Sequence, residues 1–239
     1  MKKSTVVALT LSPVVSMLIA FAMWSQDLMI PAPLQEKMQA IQAASRENEQ
    51  RLHTYQWIET TTVTVNGNPK PPRQSICRYA PDGTIVKTPL GPQQPPMPSG
   101  GPLMRRMKEK KIEEVQESLS EIRGIMAQYL PLGPGALQQA FQTKLVNFEH
   151  NGPQENSVVI RDYAKPGDSL SLDLSVPAMG LRGIAVKSYF ESPSDTLTAY
   201  VHFATLPDGT QYPGITTINA PEKGISITTV QSNFSKAIQ

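Results

Sequence analysis

The feature that most constrains the fold is a strict alternation of apolar and polar residues over positions 169–176. Leucine or valine occupies every second position, and serine or aspartate occupies the positions between them. Because successive side chains of a β-strand point to opposite faces, this segment predicts a strand with one buried and one wet face. Comparable segments separated by short turns favour antiparallel pairing between neighbours. The strands predicted in this half of the chain are 158–163, 170–176, 184–190, 197–204, 212–219 and 225–230.

A shorter β-rich block lies nearer the N-terminus. Asn66-Gly67 and Asp82-Gly83 are dipeptides that tolerate positive φ, and they therefore favour tight hairpins. The segments on either side of them contain the β-branched and aromatic residues that suit strands, so we predict a β-meander. Its strands are predicted at 55–65, 73–80 and 84–88.

Three helices are predicted from apolar residues that recur at steps of three and four. The second is the best defined, because its stripe continues for about four turns. Each helix has a single apolar stripe, so each must cover another apolar surface. Their apolar positions are, in chain order, Leu34, Met38, Ile41 and Ala44; Ile112, Val115, Leu119, Ile122 and Met126; and Leu137, Phe141 and Leu145.

The order of these elements predicts an α+β fold. Two β-rich blocks that flank a helical insertion indicate one strongly curved antiparallel sheet, an incomplete barrel, covered by two or three helices. This arrangement would place a helix-covered apolar pocket at the centre of the domain. The same residue types also fill ordinary cores, so an open pocket and a closed core remain alternatives. The residues predicted to line the pocket are Trp57, Ile112, Val115, Leu119, Ile122, Met126, Leu172, Leu174, Phe190 and Phe203.

The first 22 residues have the pattern of an export signal. Lys2 and Lys3 give a positive start, an apolar stretch follows, and residues 20–22 (Ala-Phe-Ala) form a small-x-small cleavage site. The alternative is an uncleaved anchor, because residues 6–24 approach the roughly 20 residues that a membrane span needs. In either case we expect residues 23–239 to form a single domain outside the cytoplasm, in the bacterial periplasm.

A proline-rich segment interrupts the domain at residues 89–102. It contains six prolines, together with Ser99, Gly100 and Gly101, a composition that is incompatible with a helix or a central strand. We predict a mobile loop there. A ligand for the aromatic groove of a partner protein is the alternative interpretation.

Composition argues against several classes of function. The chain has 22 basic and 20 acidic residues, so no strong field would attract nucleic acid. The single cysteine, Cys77, excludes an internal disulfide and a cysteine-built zinc site. HExxH, GxSxG and P-loop spacings do not occur, and His53, His150 and His202 are scattered. We therefore predict no catalytic residues, no metal and no cofactor.

Three short segments resemble LolA-like periplasmic lipoprotein carriers. They are the helix-to-strand entry LHTYQW at 52–57, the hairpin LPDGTQYP at 206–213, and the end of the last strand, SNF, at 232–234. With the order of elements, the resemblance extends over most of residues 34–239. It implies an incomplete antiparallel barrel, a helical lid over an apolar cavity, and a lipid or lipidated protein as the ligand. It implies no individual site residue.

Three functional hypotheses follow. The leading one is an exported, non-enzymatic protein that holds a lipid, acyl chain or lipidated peptide between the curved sheet and the helices. The second is a structural or protein-interaction module of the cell envelope with a closed core. The third is an envelope hydrolase.

Overall fold

The computed structural model describes residues 46–91, 102–130, 139–140, 144–152, 155–175 and 180–237. Several predicted features lie outside these residues. They are the export signal at 1–22, the helical stripe that ends at Ala44, positions 92–101 of the proline-rich segment, and Leu137 and Phe141 of the third helix.

Eleven strands form one antiparallel sheet. They are β1 (Tyr55–Val65), β2 (Asn68–Pro69), β3 (Arg73–Tyr79), β4 (Ile85–Leu90), β5 (Leu145–Gly152), β6 (Glu155–Arg161), β7 (Ser169–Ser175), β8 (Gly180–Tyr189), β9 (Thr196–Thr205), β10 (Gln211–Ala220) and β11 (Ile225–Lys236). The order is β4-β3-β1-β11-β10-β9-β8-β7-β6-β5, with β2 paired to β1. Within the described part of the chain β4 and β5 are free edges. The predicted incomplete antiparallel barrel is confirmed.

The sheet is assembled from two β-blocks. The first β-block is β1–β4, the second β-block is β5–β11, and within each block neighbouring long strands pair in chain order. The two blocks are joined by β1 and β11, which pair from Val65 opposite Ile225 to Tyr55 opposite Lys236. The first and last strands of the domain are therefore neighbours.

The described residues contain two helical segments of a turn or more. Residues 46–52 are helical and are called α1, and α2 is the helix Pro102–Met126. Pro102 starts α2 because a proline in the first turn needs no N–H partner. Residues 139–140 are helical as well.

The predicted bounds of two elements were wrong. Pro89 and Leu90 belong to β4 and Pro102 belongs to α2, so none of the three is part of a loop. Pro89 fits in β4 because an edge strand tolerates a proline that cannot donate a ladder hydrogen bond. Leu145 does not continue the third helix. It begins β5, where it lies opposite Arg161 of β6.

One face of the sheet, the inner face, is buried against α2. Fully buried side chains from β6 to β11 pack there with the end of α2. The other face, the outer face, presents mainly polar and small residues, including the serines of the alternating segment on β7, together with the exposed side chains of Tyr200, Ile215 and Val230. The single apolar face predicted from that alternation is the one that α2 covers.

Candidate ligand-binding site

The inner face of the second β-block is a closed apolar surface. Ile122 and Met126 of α2 have no exposed surface, and they pack in one cluster with Leu170, Ile184 and other side chains of the sheet. Burial of a side chain of this size is worth about 1.5–3 kcal/mol. The last turns of α2 therefore behave as part of the core.

The burial of the apolar stripe of α2 decreases toward the N-terminus of the helix. Leu119 is partly buried against the core and Val115 is half-buried. Ile112 is 45% exposed, and Met107, one turn and a half earlier, is 56% exposed. The helix thus carries an apolar stripe that the described residues cover at one end only.

The chain after α2 is fastened to the sheet by a buried hydrogen-bonded group. The Tyr129 hydroxyl donates to Oδ2 of Asp168 and lies 2.9 Å from Oγ of Ser188. The same Asp168 oxygen accepts the backbone N–H groups of Ala164 at 3.1 Å and Lys165 at 2.8 Å. Burial, and then the hydrogen bond to Asp168, raises the pKa of Tyr129 well above its ordinary value. These contacts fix the end of the helix at one end of the sheet.

The inner face of the first β-block is polar. Its central contact is an ion pair between Lys87 Nζ and Glu59 Oε1 at 2.6 Å, and the side chains are only 11% and 5% exposed. Cys77 lies directly opposite Lys87 and has no exposed surface. We call this region, together with two adjoining side chains of β11, the polar strip; its members are Glu59, Thr61, Cys77 and Lys87 of the first β-block and Thr229 and Gln231 of β11.

The environment of the polar strip changes the pKa of the Cys77 thiol. Burial first, and then the charge of Glu59, raises the pKa of the Cys77 thiol to about 12, although Lys87 acts in the opposite direction. A thiol in this environment stays protonated at neutral pH. Cys77 is therefore an inert member of the strip and not a nucleophile.

Two buried polar atoms at the strip have no hydrogen-bond partner in the described part of the chain. They are Oε2 of Glu59 and Nε1 of Trp57, whose side chains lie on the same face of β1 two residues apart. One is an acceptor and the other a donor. An unpaired buried polar group costs about 1–3 kcal/mol, and more if it is charged. Such a pair is therefore suited to receiving a polar group from outside the chain.

An aromatic cluster adjoins these atoms. The Trp57 ring stacks on Phe234 with centroids 5.7 Å apart and lies 5.5 Å from Tyr79. Tyr79 stacks on His53 at 4.1 Å, and its hydroxyl also lacks a partner among the residues with described positions. Burial, and then the charge of Glu49, raises the pKa of Tyr79 above its ordinary value. The polar strip is thus bordered by flat rings that also carry unpaired polar atoms.

The ten predicted pocket residues fall into three groups. Four residues are buried in the core under α2: Ile122, Met126, Leu172 and Phe190. Three are partly buried against that core: Leu119, Leu174 and Phe203. The remaining three lie outside the core cluster: Trp57, Val115 and Ile112. The structure thus brings seven of them into one cluster. That they contact a ligand remains a prediction.

The polar residues of the site were not predicted from the sequence. Glu59 stands on the face of β1 that also carries Trp57 and Val63, and a charge on an otherwise buried face is the signal that could have identified it. Neither Lys87 nor Asp168 stands out in this way from its neighbours in the sequence. Lysine is common on edge strands and aspartate is common in turns.

The three histidines lie far apart in the fold. His53 follows α1, His150 is in β5, and His202 is on the outer face of β9, where it stacks on Tyr200. No group of three or more His, Cys, Asp or Glu side chains within the described ranges could hold a metal ion. Within the same ranges, no helix combines the length and apolar character needed to cross a membrane.

No protein-family model matches the chain, and no curated protein sequence matches it. Some solved structures are partly similar to this chain. A DUF1329 family protein from Desulfovibrio piger is 9% identical, with a TM-score of 0.42 over 86% of this chain and 94% of that one. A LolA superfamily protein from Nitrosomonas europaea is 8% identical, with a TM-score of 0.38 over 84% and 94%.

A third similar structure is a domain from Vibrio parahaemolyticus assigned to outer membrane lipoprotein sorting. It is 8% identical, with a TM-score of 0.34 over 81% of this chain and 91% of that one. The structural neighbours therefore include LolA superfamily and lipoprotein-sorting domains, as the resemblance of the sequence predicted. At these identities the similarity concerns the fold alone.

Proposed function

We propose that the chain is an exported, non-enzymatic binding protein that holds an amphiphile between the inner face of the sheet and α2. The ligand class is a lipid, an acyl chain or a lipidated peptide. The observation that supports this most is the division of the inner face. An incompletely covered apolar helix stripe and a buried polar strip with an unpaired donor and acceptor are present in one domain.

In this proposal each part of the ligand has a counterpart in the chain. An acyl chain would cover Val115 and Ile112, and each buried methylene contributes about 0.8 kcal/mol. The polar end would satisfy Trp57 Nε1 and Glu59 Oε2, which have no partner among the residues that the structure describes. Both parts are needed, because an apolar molecule alone would leave the polar atoms unpaired.

The location and partners of the protein belong to the same proposal. The N-terminal pattern predicts export to the bacterial periplasm, and a ligand of this class would come from the cell envelope as a free lipid or as a lipidated protein. An envelope protein would then deliver or accept the cargo. No nucleic acid or cofactor takes part.

The first experiment is to determine whether a ligand is co-purified with the protein, from the mass of the complex. The full chain is exported in a bacterial host, purified without detergent and measured by native mass spectrometry beside an organic extract. We expect a stoichiometric extra mass that disappears on extraction. After extraction, a dansyl-labelled undecanoic acid is titrated in, and we expect saturable binding with one site per chain.

Matched variants of α2 test where the acyl chain lies. Ile112→Ser/Val115→Ser should weaken binding of the dansyl probe at least tenfold, because it removes the apolar stripe beyond the core. Glu113→Ser/Glu117→Ser, on the exposed side of the same turns away from the stripe, is the control and should bind as the wild type does. Equal binding by both variants would place the ligand elsewhere.

A second candidate function is a protein-interaction module of the cell envelope. The observation that favours it is the filled core under α2, where Ile122, Met126, Ile160, Leu170 and Ile184 have no exposed surface. It predicts a bare mass in the native spectrum and no saturable binding of the dansyl probe. It also predicts that deletion of residues 92–101 changes the set of envelope proteins that are captured by the chain.

A further inference from the structure

The outer face of the sheet has a hollow on the side opposite to α2. It has a volume of about 360 Å³ and extends across β7, β8, β9 and β10. These four strands are internal to the sheet, so their backbone groups are already paired and cannot accept an added strand. Anything that occupies the hollow must therefore be recognised by side chains.

Strand register sets the side chains of the hollow in two rows. In one row, Ser171 is opposite Ala185, which is opposite Tyr200. In the other row, Ser169 is opposite Lys187, which is opposite Thr198, and Thr198 is opposite Asn219. Small side chains at Ser171 and Ala185 leave the depression between the larger groups.

The Tyr200 ring is held flat along one side of the hollow. Its hydroxyl lies 3.3 Å from Oδ2 of Asp173, and the other oxygen of that carboxylate accepts Ser157 Oγ at 2.8 Å. The phenol end lies over Gly183, where an added Cβ would be 2.5 Å from the hydroxyl oxygen. The residue remains 41% exposed. Gly183 and Asp173 thus fix an aromatic surface that is accessible from solvent.

The rim of the hollow is rich in groups that both donate and accept hydrogen bonds. Ser169, Ser171 and Thr198 contribute hydroxyls and Asn219 an amide, while Lys187 contributes a positive charge. Among the described residues that line the hollow, none is acidic. An apolar ligand would leave this rim unpaired, whereas a ligand with many hydroxyls and a negative charge would satisfy it.

We propose that this outer hollow binds a pyranose unit that carries a carboxylate, as part of an acidic glycan. The C–H face of the sugar would lie on the Tyr200 ring, its hydroxyls would meet the serine, threonine and asparagine side chains, and its carboxylate would pair with Lys187. This site is on the opposite face from the amphiphile site and is independent of it.

The test uses the full chain and two probes of the same length, tetragalacturonic acid and a neutral galactose tetramer. Isothermal titration calorimetry should give saturable binding of the acidic probe, with at least tenfold preference over the neutral one. Lys187→Gln should reduce that preference to about one. Absence of saturable binding of the acidic probe would overturn the proposal.

Two variants of the ring separate its role from that of the fold. Tyr200→Ala should lower the affinity for the acidic probe at least tenfold. Tyr200→Phe, which keeps the ring, should have an affinity within about threefold of that of the wild type. Ile215→Ala, an exposed position of β10 outside the hollow, is the control. Circular dichroism shows whether Tyr200→Ala is folded. If it is not, the test is whether Lys187→Gln loses the preference for the acidic over the neutral probe. Unchanged binding in folded Tyr200→Ala would contradict the proposed stacking.

Discussion

The two β-blocks share one continuous inner face but fill it with opposite chemistry. The second β-block buries leucine, isoleucine and valine under α2, while the first β-block buries a glutamate, a lysine and a cysteine. The pairing of β1 with β11 makes the two surfaces adjacent, since Val63 lies opposite Ile227 in the same ladder that continues to Glu59 opposite Gln231.

This difference indicates where the stability and the function of the domain lie. In the second β-block the apolar side chains cover one another, and its unpaired buried polar atoms, such as Oδ1 of Asp168 and Oγ1 of Thr210, lie in the turns that precede β7 and β10. The interior of the first β-block contains polar atoms, at the centre of its inner face, that no described residue pairs. Local departures from the rule of an apolar interior are expected at functional sites, so the first β-block is the better place to seek a ligand.

The largest expected effect comes from breaking the buried ion pair. Lys87→Met leaves Glu59 buried without its partner, and we expect it to lower the free energy of unfolding by about 3–5 kcal/mol. Glu59→Met/Lys87→Met replaces both charges and should recover most of that loss, to within about 1 kcal/mol of the wild type. Urea denaturation measures all three proteins.

A basic residue on the other face of the same block serves as the control. Arg78 is exposed on the outer face of β3, and Arg78→Met should change the free energy of unfolding by no more than about 0.5 kcal/mol. If the double variant were as unstable as Lys87→Met, the polar strip would be stabilised by contacts other than the ion pair.

The second effect compares two isoleucines on the stripe of α2. Ile122 has no exposed surface, and Ile122→Ala should cost about 2–5 kcal/mol in urea denaturation. Ile112 is 45% exposed, and Ile112→Ala should change stability by less than about 0.5 kcal/mol because alanine also favours the helix. Similar losses at both positions would show that the stripe is covered along its whole length.

The sequence was sufficient to predict most of the architecture of the second β-block. The alternation over 169–176 identified both the strand and its buried face, and Asp208-Gly209 identified a turn because Gly209 needs positive φ, which is 83° in the structure. These signals are local. Each depends on a few neighbouring residues, which is why it can be recognised without knowledge of the rest of the chain.

The polar strip could not be predicted because it is made by distant pairings. Lys87 becomes buried only when β4 pairs with β3 and β3 with β1, and Glu59 meets Gln231 only when the first and last strands join. In the sequence, Lys87 is one charged residue in a short strand and resembles any solvated edge residue. Tyr129 and Asp168 present the same difficulty, since 39 residues separate them.

A smaller effect concerns the contact that fastens α2 to the second β-block. Tyr129→Phe removes the hydroxyl that Asp168 accepts, and we expect a loss of about 1–3 kcal/mol in the free energy of unfolding. Tyr163→Phe is the control, because its ring lies 5.7 Å from that of Tyr129 in the same region. Amide hydrogen exchange at Ala164 and Lys165 should accelerate in Tyr129→Phe alone; unchanged exchange would mean that the loop is held without the tyrosine.

The smallest effect compares two turns with the same sequence, Pro-Asp-Gly-Thr, one in each β-block. The Tyr55 hydroxyl at 2.6 Å, and then Thr210, lower the pKa of Asp208 to about 2, while the pKa of Asp82 is lowered by Thr84 alone among side chains. A depressed carboxyl pKa contributes stability that is present above the ordinary value of 3.8 and is lost as the pH falls through about 2.

Between pH 4 and pH 2, Asp208→Asn should therefore lose less unfolding free energy than the wild type loses. The loss in Asp82→Asn over the same range should be closer to that of the wild type. Urea midpoints over this pH range, with the two carboxyl pKa values measured by carbon-13 NMR, test this ranking, and a larger effect at Asp82 would reverse it. Because Tyr55 begins the first β-block and Asp208 is in a turn of the second, the result would also measure a contact between the two blocks.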